Sequence, residues 1–167
     1  MQGHNTGQRP LSHKDRMTQA LLGHVQPTHF ITLSLCQSRM IVSEHGLKCW
    51  VRGDDVIYQQ AYASFMRALS KRLTLRTAWD RFKPILPNMS AIEGGDGKER
   101  NHMHLLIANP ENVTEERFRM AVCNVAAGNP WIMNGQYAVD IKNIADDREA
   151  MTKAYYTMKR GVERICL

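Results

Sequence analysis

Between Met89 and Ala108 the chain has few ways to fold. Met89–Glu93 and His102–Ala108 read as short strands flanking Gly94-Gly95-Asp96-Gly97, a run of turn formers, so the two segments are expected to return on each other as an antiparallel hairpin. A strand alternates its side chains between two faces, so His102 and His104 present their imidazoles together while Met103 enters the opposite layer. Glu93, the last residue before the turn, comes back beside them and can add a carboxylate oxygen to two nitrogens, leaving positions open for a phosphate. Two ordinary strand histidines and a solvated acid at a hairpin end are the plainer alternatives for the same residues.

The rest of the chain supplies strands and helices around this hairpin. Met17, Leu21, Leu22 and Val25 have helical spacing behind Ser12, a candidate N-cap with Asp15 at the third helical position. His29–Leu35 alternates and is rich in β-branched and aromatic residues, as a half-buried strand would be. Asp54 to about Thr77 carries a long helical period through Ile57, Tyr62, Phe65, Met66 and Leu69, ended by the two prolines of Lys83–Pro87. Thr114 caps a helix through Val125 with Glu115 and Glu116 in its first turn, and Gly128-Asn129-Pro130 stops it. Tyr137–Ile144 alternates again, and Asp146-Asp147 opens a last helix through Tyr155, Tyr156 and Lys159 to Gly161. The order β-α-β-β-α-β-α implies an α+β fold, a mostly antiparallel sheet covered by helices on one face.

At 167 residues the chain is the size of one domain, expected over residues 11–167, and the polar segment 1–10 is expected to be a loose tail. Cys36, Cys49, Cys123 and Cys166 are widely spaced with no CxxC pair, which suits thiols in a reducing compartment. No window reaches the roughly eighteen apolar residues of a membrane span, and no apolar signal core opens the chain, so a cytoplasmic location without a membrane partner is expected. A formal charge of +6 favours polyanionic partners.

The last helix carries the nucleophile candidates. Tyr156 and Lys159, three apart, share a helical face, whereas Tyr155 is turned away by about 100°. A phenol is a poor nucleophile in water, but a neighbouring ammonium and a cation on the phosphate would both favour the phenolate. The alternative is that Tyr155 and Tyr156 edge the core and that Lys159 and Arg160 form a solvated helix end.

Phe30-Ile31-Thr32-Leu33-Ser34, His102-Met103-His104-Leu105-Leu106 and Tyr156-Thr157-Met158-Lys159, in that order, resemble the three motifs of the HUH endonuclease superfamily, specifically Rep-type initiators of rolling-circle replication. The resemblance spans about residues 28–161. It implies a ferredoxin-like or RRM-like sheet with flanking helices, the HUH nuclease fold. It also implies a site in which Glu93, His102 and His104 hold Mn²⁺ or Mg²⁺ and Tyr156, assisted by Lys159, cuts single-stranded DNA. The products would be a free 3′-OH and a 5′-phosphotyrosyl link, at an origin sequence or stem-loop.

The order of motifs disfavours conjugative relaxases, whose tyrosine usually precedes the histidines. Single-tyrosine transposases share the order, though they usually place a glutamine one turn after the tyrosine. Tyr155 and Tyr156 are adjacent, so the pattern of two tyrosines one helical turn apart is absent and a single catalytic tyrosine is expected. The chain lacks a GxxxxGK[ST] loop, so unwinding is expected from a separate helicase or from outside this segment. HIT-type hydrolases require HxHxH, and Leu106 stands at the third position. The remaining rival is a non-catalytic single-stranded nucleic-acid module, binding through its sheet and Lys153, Lys159, Arg160 and Arg164. Trp50, Arg52, Arg76 and Lys98 are further candidates for DNA contacts.

Overall fold

The computed structural model describes residues 12–94, 100–158 and 165–166. The tail expected over 1–10, the inner turn residues 95–99 and the segment 159–164, with Lys98, Lys159, Arg160 and Arg164, lie outside the described residues.

Helix α1 spans His13–Val25, and Ser12 caps it: its hydroxyl accepts from the Asp15 N–H while the Asp15 carboxylate accepts from the Ser12 N–H, the reciprocal box expected of that pair. Strand β1 (His29–Ser34) follows, then a hairpin of β2 (Ser38–Val42) and β3 (Lys48–Arg52) that sequence periodicity does not announce, because most of its residues on both faces are exposed. Helix α2 (Asp55–Leu73) starts at Asp54, whose carboxylate accepts from the Ile57 N–H. The single helix expected to reach Thr77 is broken: Thr74 and Leu75 are extended, and a short α3 (Arg76–Phe82) turns Trp79 back into the core. The expected hairpin forms from β4 (Asn88–Glu93) and β5 (His102–Ile107). Helix α4 (Glu115–Gly128) carries the Thr114 cap, β6 (Val139–Asn143) is shorter than the Tyr137–Ile144 alternation, and α5 (Asp147–Thr157) begins at the Asp146 cap. Met158 is the C-cap of α5, and residues 159–161 of the expected continuation to Gly161 lie outside the described residues. A two-residue β7 (Ile165–Cys166) ends the order.

The central sheet runs β6-β1-β5-β4-β7, and every neighbouring pair is antiparallel. With α2 joining β1 to β4 and α4 joining β5 to β6, the first four strands of that order and their helices form a ferredoxin-like βαββαβ unit. Odd-numbered residues of β1 and β5, among them Ile31, Leu33, Met103 and Leu105, pack with Phe65 and Leu69 of α2 and Phe118 and Val122 of α4. Phe65 and Phe118 are fully buried, and each such side chain contributes about 1.5–3 kcal/mol of transfer free energy.

The opposite face is covered too, which corrects the expectation of helices on one face. Phe30, Leu106 and Met89 pack there with Val25 of α1 and Ala154 and Met158 of α5. On this face the Tyr156 ring of α5 lies over His104, while His102 stays half-buried. Among the described residues, no helix is long and apolar enough to cross a membrane. Cys36, Cys49 and Cys123 are free thiols, and the side chain of Cys166 lies outside the description.

Candidate active site

Strand register assembles the site in rows. Ser34, His102 and Glu93 stand abreast on β1, β5 and β4, and the next row is Asp140, Thr32, His104 and Ala91 from β6 to β4. Cross-strand partners share a face, so these rows join Phe30, Leu106 and Met89 on the side covered by α1 and α5.

His102 and His104 do share this face, with near-parallel rings whose centroids are 6.3 Å apart. Glu93 is registered opposite His102, yet its Oε2 lies 3.3 Å from Nε2 of His104, the diagonal neighbour. Both partners are buried, with side chains 7% and 6% exposed. The other ring nitrogen, Nδ1 of His104, lies 3.0 Å from the Thr32 hydroxyl. That hydroxyl can donate or accept, so it serves either tautomer: it donates to Nδ1 when Nε2–H donates to Glu93, and accepts from Nδ1–H when Nε2 offers its lone pair. A fixed hydrogen bond on one nitrogen of a ligating imidazole is the usual way of orienting the other.

Tyr156 stands over this group from α5. Its ring meets His104 edge-on at 5.3 Å between centroids and Phe30 at 6.3 Å, and it remains 44% exposed. Phe30 in turn stacks on His104 at 5.3 Å. Tyr155 points elsewhere: the Lys14 ammonium of α1 sits 5.3 Å over its ring. The two adjacent tyrosines thus divide as the helical angle predicts, one to the histidine face and one to α1.

Lys153, one turn before Tyr156, holds its ammonium 5.1 Å over the Phe30 ring. Sequence alone places Lys153 only in a general basic set, and its i, i+3 relation to Tyr156 is the signal that could single it out. Thr32 is visible in the first strand, but its hydrogen bond with His104 spans 72 residues and comes from pairing alone. At the β6 edge of the same face Lys142 and Asp140 form an exposed ion pair at 3.2 Å.

The donor set suits a divalent cation, with two imidazoles and a carboxylate on one face. The arrangement is a touching pair with a third member nearby: among the described residues no three His, Cys, Asp or Glu side chains are gathered closely enough to hold a metal ion. His102 is the half-buried member of the three, while His104 and Glu93 are buried.

No protein-family model matches the chain, and no curated protein or solved structure matches it significantly. Fold and site therefore define a class by geometry alone: a ferredoxin-like domain with a His-Glu pair beneath a half-exposed tyrosine on one sheet face.

Proposed function

We propose that this face is a tyrosine strand-transfer site for single-stranded DNA, of the HUH Rep type, nicking an origin to initiate rolling-circle replication. The observation that carries the reading is the placement of Tyr156, whose half-exposed ring lies edge-on to His104 while His104 is held between Glu93 and Thr32. A phenol intended only for packing has no need of a buried imidazole–carboxylate pair beneath it.

The chain's residues divide the work. Tyr156 Oη attacks the scissile phosphorus as its proton leaves, and the P–O3′ bond breaks. The departing oxygen takes up a proton to become a 3′-OH, so the step consumes no net proton and no nucleotide. The phosphodiester's energy is retained in the 5′-phosphotyrosyl bond, and attack by another 3′-OH reverses the step and releases Tyr156. Lys153 lies one turn from the nucleophile on its side of α5, where a positive charge favours the phenolate. Lys159 is proposed in the same role from its sequence position. His102, His104 and Glu93 would hold Mn²⁺ or Mg²⁺, which when bound supplies Lewis-acid charge against the phosphate oxygens. Thr32 orients His104 for that task. A separate helicase would unwind the duplex, and the site of action would be the bacterial cytoplasm or, for a viral element, the host compartment where replication occurs.

The test uses a pool of randomised single-stranded oligonucleotides labelled at the 3′ end, because the label stays with the phosphotyrosyl product. With Mn²⁺ or Mg²⁺, an SDS-resistant labelled protein band is expected, abolished by EDTA and by His104→Ala. Strand binding without any such band would instead favour the non-catalytic module.

A further inference from the structure

The β2–β3 hairpin stands apart from the central sheet, pairing only within itself in the register Ser38↔Arg52, Met40↔Trp50 and Val42↔Lys48. An isolated two-stranded ribbon is marginal in water, so it must be anchored. One face supplies the anchor: Arg39 and Val51, cross-strand partners, are half-buried, and the Arg39 guanidinium lies 5.7 Å from the Trp131 ring. The Gly53 N–H donates to the Gln37 carbonyl at 2.8 Å and closes the base.

Alternation then sends Met40, Val42, Lys48, Trp50 and Arg52 outward. Trp50 is 72% exposed, with Met40 across from it at 47% and Val42 at 59%. On the same strand face Lys48 and Arg52 flank Trp50 at i−2 and i+2, about 7 Å away on either side. Residues 38–52 hold Arg39, Lys48 and Arg52 against the single acid Glu44, so the ribbon complements a polyanion. An aromatic plate between two cations suits an unpaired base with a phosphate on each side, and a duplex offers no free base face to stack on. The ribbon also follows directly on the end of β1 where Ser34 is registered with His102.

We propose that the β2–β3 ribbon is a single-strand clamp in which Trp50 stacks on a base and Lys48 and Arg52 neutralise the neighbouring phosphates, holding DNA that flanks the His102 end of the sheet. The choice of DNA rests on the strand-transfer reading, whereas the clamp itself rests on the ribbon.

Binding of a fluorescent 30-nucleotide single strand and of the matching duplex is measured by anisotropy on the intact chain carrying Tyr156→Phe, so that cleavage does not intervene. Trp50→Ala is expected to weaken single-strand binding about tenfold or more, and Trp50→Phe to restore much of it, as base stacking requires. Lys48→Gln with Arg52→Gln should flatten the dependence of log affinity on log salt by about 1.4, near 0.7 for each phosphate no longer neutralised. Circular dichroism of each variant checks that the fold persists. Unchanged single-strand affinity in folded Trp50→Ala, or equal Trp50-dependence for duplex, overturns the clamp. So does a Trp50-dependent dimer in sedimentation without Trp50-dependent DNA binding, which would assign the ribbon to a second copy. Adduct formation is scored separately on chains retaining Tyr156: its absence with Trp50-dependent binding intact removes the strand-transfer reading alone, and its presence without Trp50-dependence removes the clamp alone.

Discussion

Replacing Thr32 by Val removes one hydroxyl at nearly constant shape and keeps a β-branched residue in β1. The change deletes the 3.0 Å hydrogen bond to Nδ1 of His104, a side chain only 7% exposed, so the nitrogen is left against a methyl group away from water. Orphaning a buried polar atom costs about 1–3 kcal/mol. For a chain of this size that lowers Tm by about 3–10 °C. The functional consequence is separate and larger. The imidazole is deprived of the partner that fixes its rotation and allows Nε2 to offer its lone pair, and removing such a partner typically weakens metal affinity about 10–100-fold. Mn²⁺ titration by calorimetry, beside thermal melts followed by circular dichroism, reads both effects, and Thr32→Ser, which keeps the hydroxyl, should recover most of each. If Thr32→Val melts lower but binds Mn²⁺ as the parent does, the hydroxyl merely packs the sheet and the reasoning about His104 fails.

Lys153→Met keeps much of the aliphatic packing on Phe30 while removing the ammonium, so strand transfer should slow by about tenfold or more at neutral pH and recover partly as pH rises, since the phenolate then forms without help. A rate unchanged across pH would contradict that role. Glu115→Gln probes acid stability. Partial burial pushes the Glu115 carboxyl up, but hydrogen bonds from His29 and Arg119 outweigh it and hold it below the ordinary range. Its stabilising contribution is thus present above the ordinary value of about 4.3 and vanishes as pH falls through the lower folded value. The variant should melt lower than the parent at pH 7 and converge on it below pH 4; a constant gap across that range would refute the assignment. The effect is small because the Glu115 side chain is 44% exposed. Gly94→Ala should cost about 1–3 kcal/mol in a denaturant titration. Gly94 sits at φ +105°, and a Cβ there would come 2.8 Å from the Asn101 Cα.

What could be read from the sequence was local. Caps at Ser12 and Thr114, the helix starts at Asp54 and Asp146, the hairpin through Gly94, the shared face of His102 and His104, and the division between Tyr155 and Tyr156 all depend on neighbours within a few residues. The interactions that organise the candidate site do not. Glu93 meets His104 on the diagonal instead of its partner His102, Thr32 reaches His104 only because β1 and β5 pair, and Lys153 reaches Phe30 only because α5 lies on that face. The second helical layer was hidden because α1 and α5 each carry an apolar stripe that says nothing of which sheet face it will cover. The ribbon was hidden because Met40, Val42 and Trp50 are exposed, contrary to the burial rule by which strands are recognised.

The proposed function stands or falls on whether Tyr156 itself becomes joined to DNA. Incubation of the chain with Mn²⁺ and a 3′-labelled single strand that it cuts, followed by proteolysis and mass spectrometry of the labelled peptide, should locate the nucleotide on Tyr156, with labelling retained in Tyr155→Phe and abolished in Tyr156→Phe. A covalent adduct that survives Tyr156→Phe, or one mapped to Tyr155 on the α1 side of the helix, would overturn it.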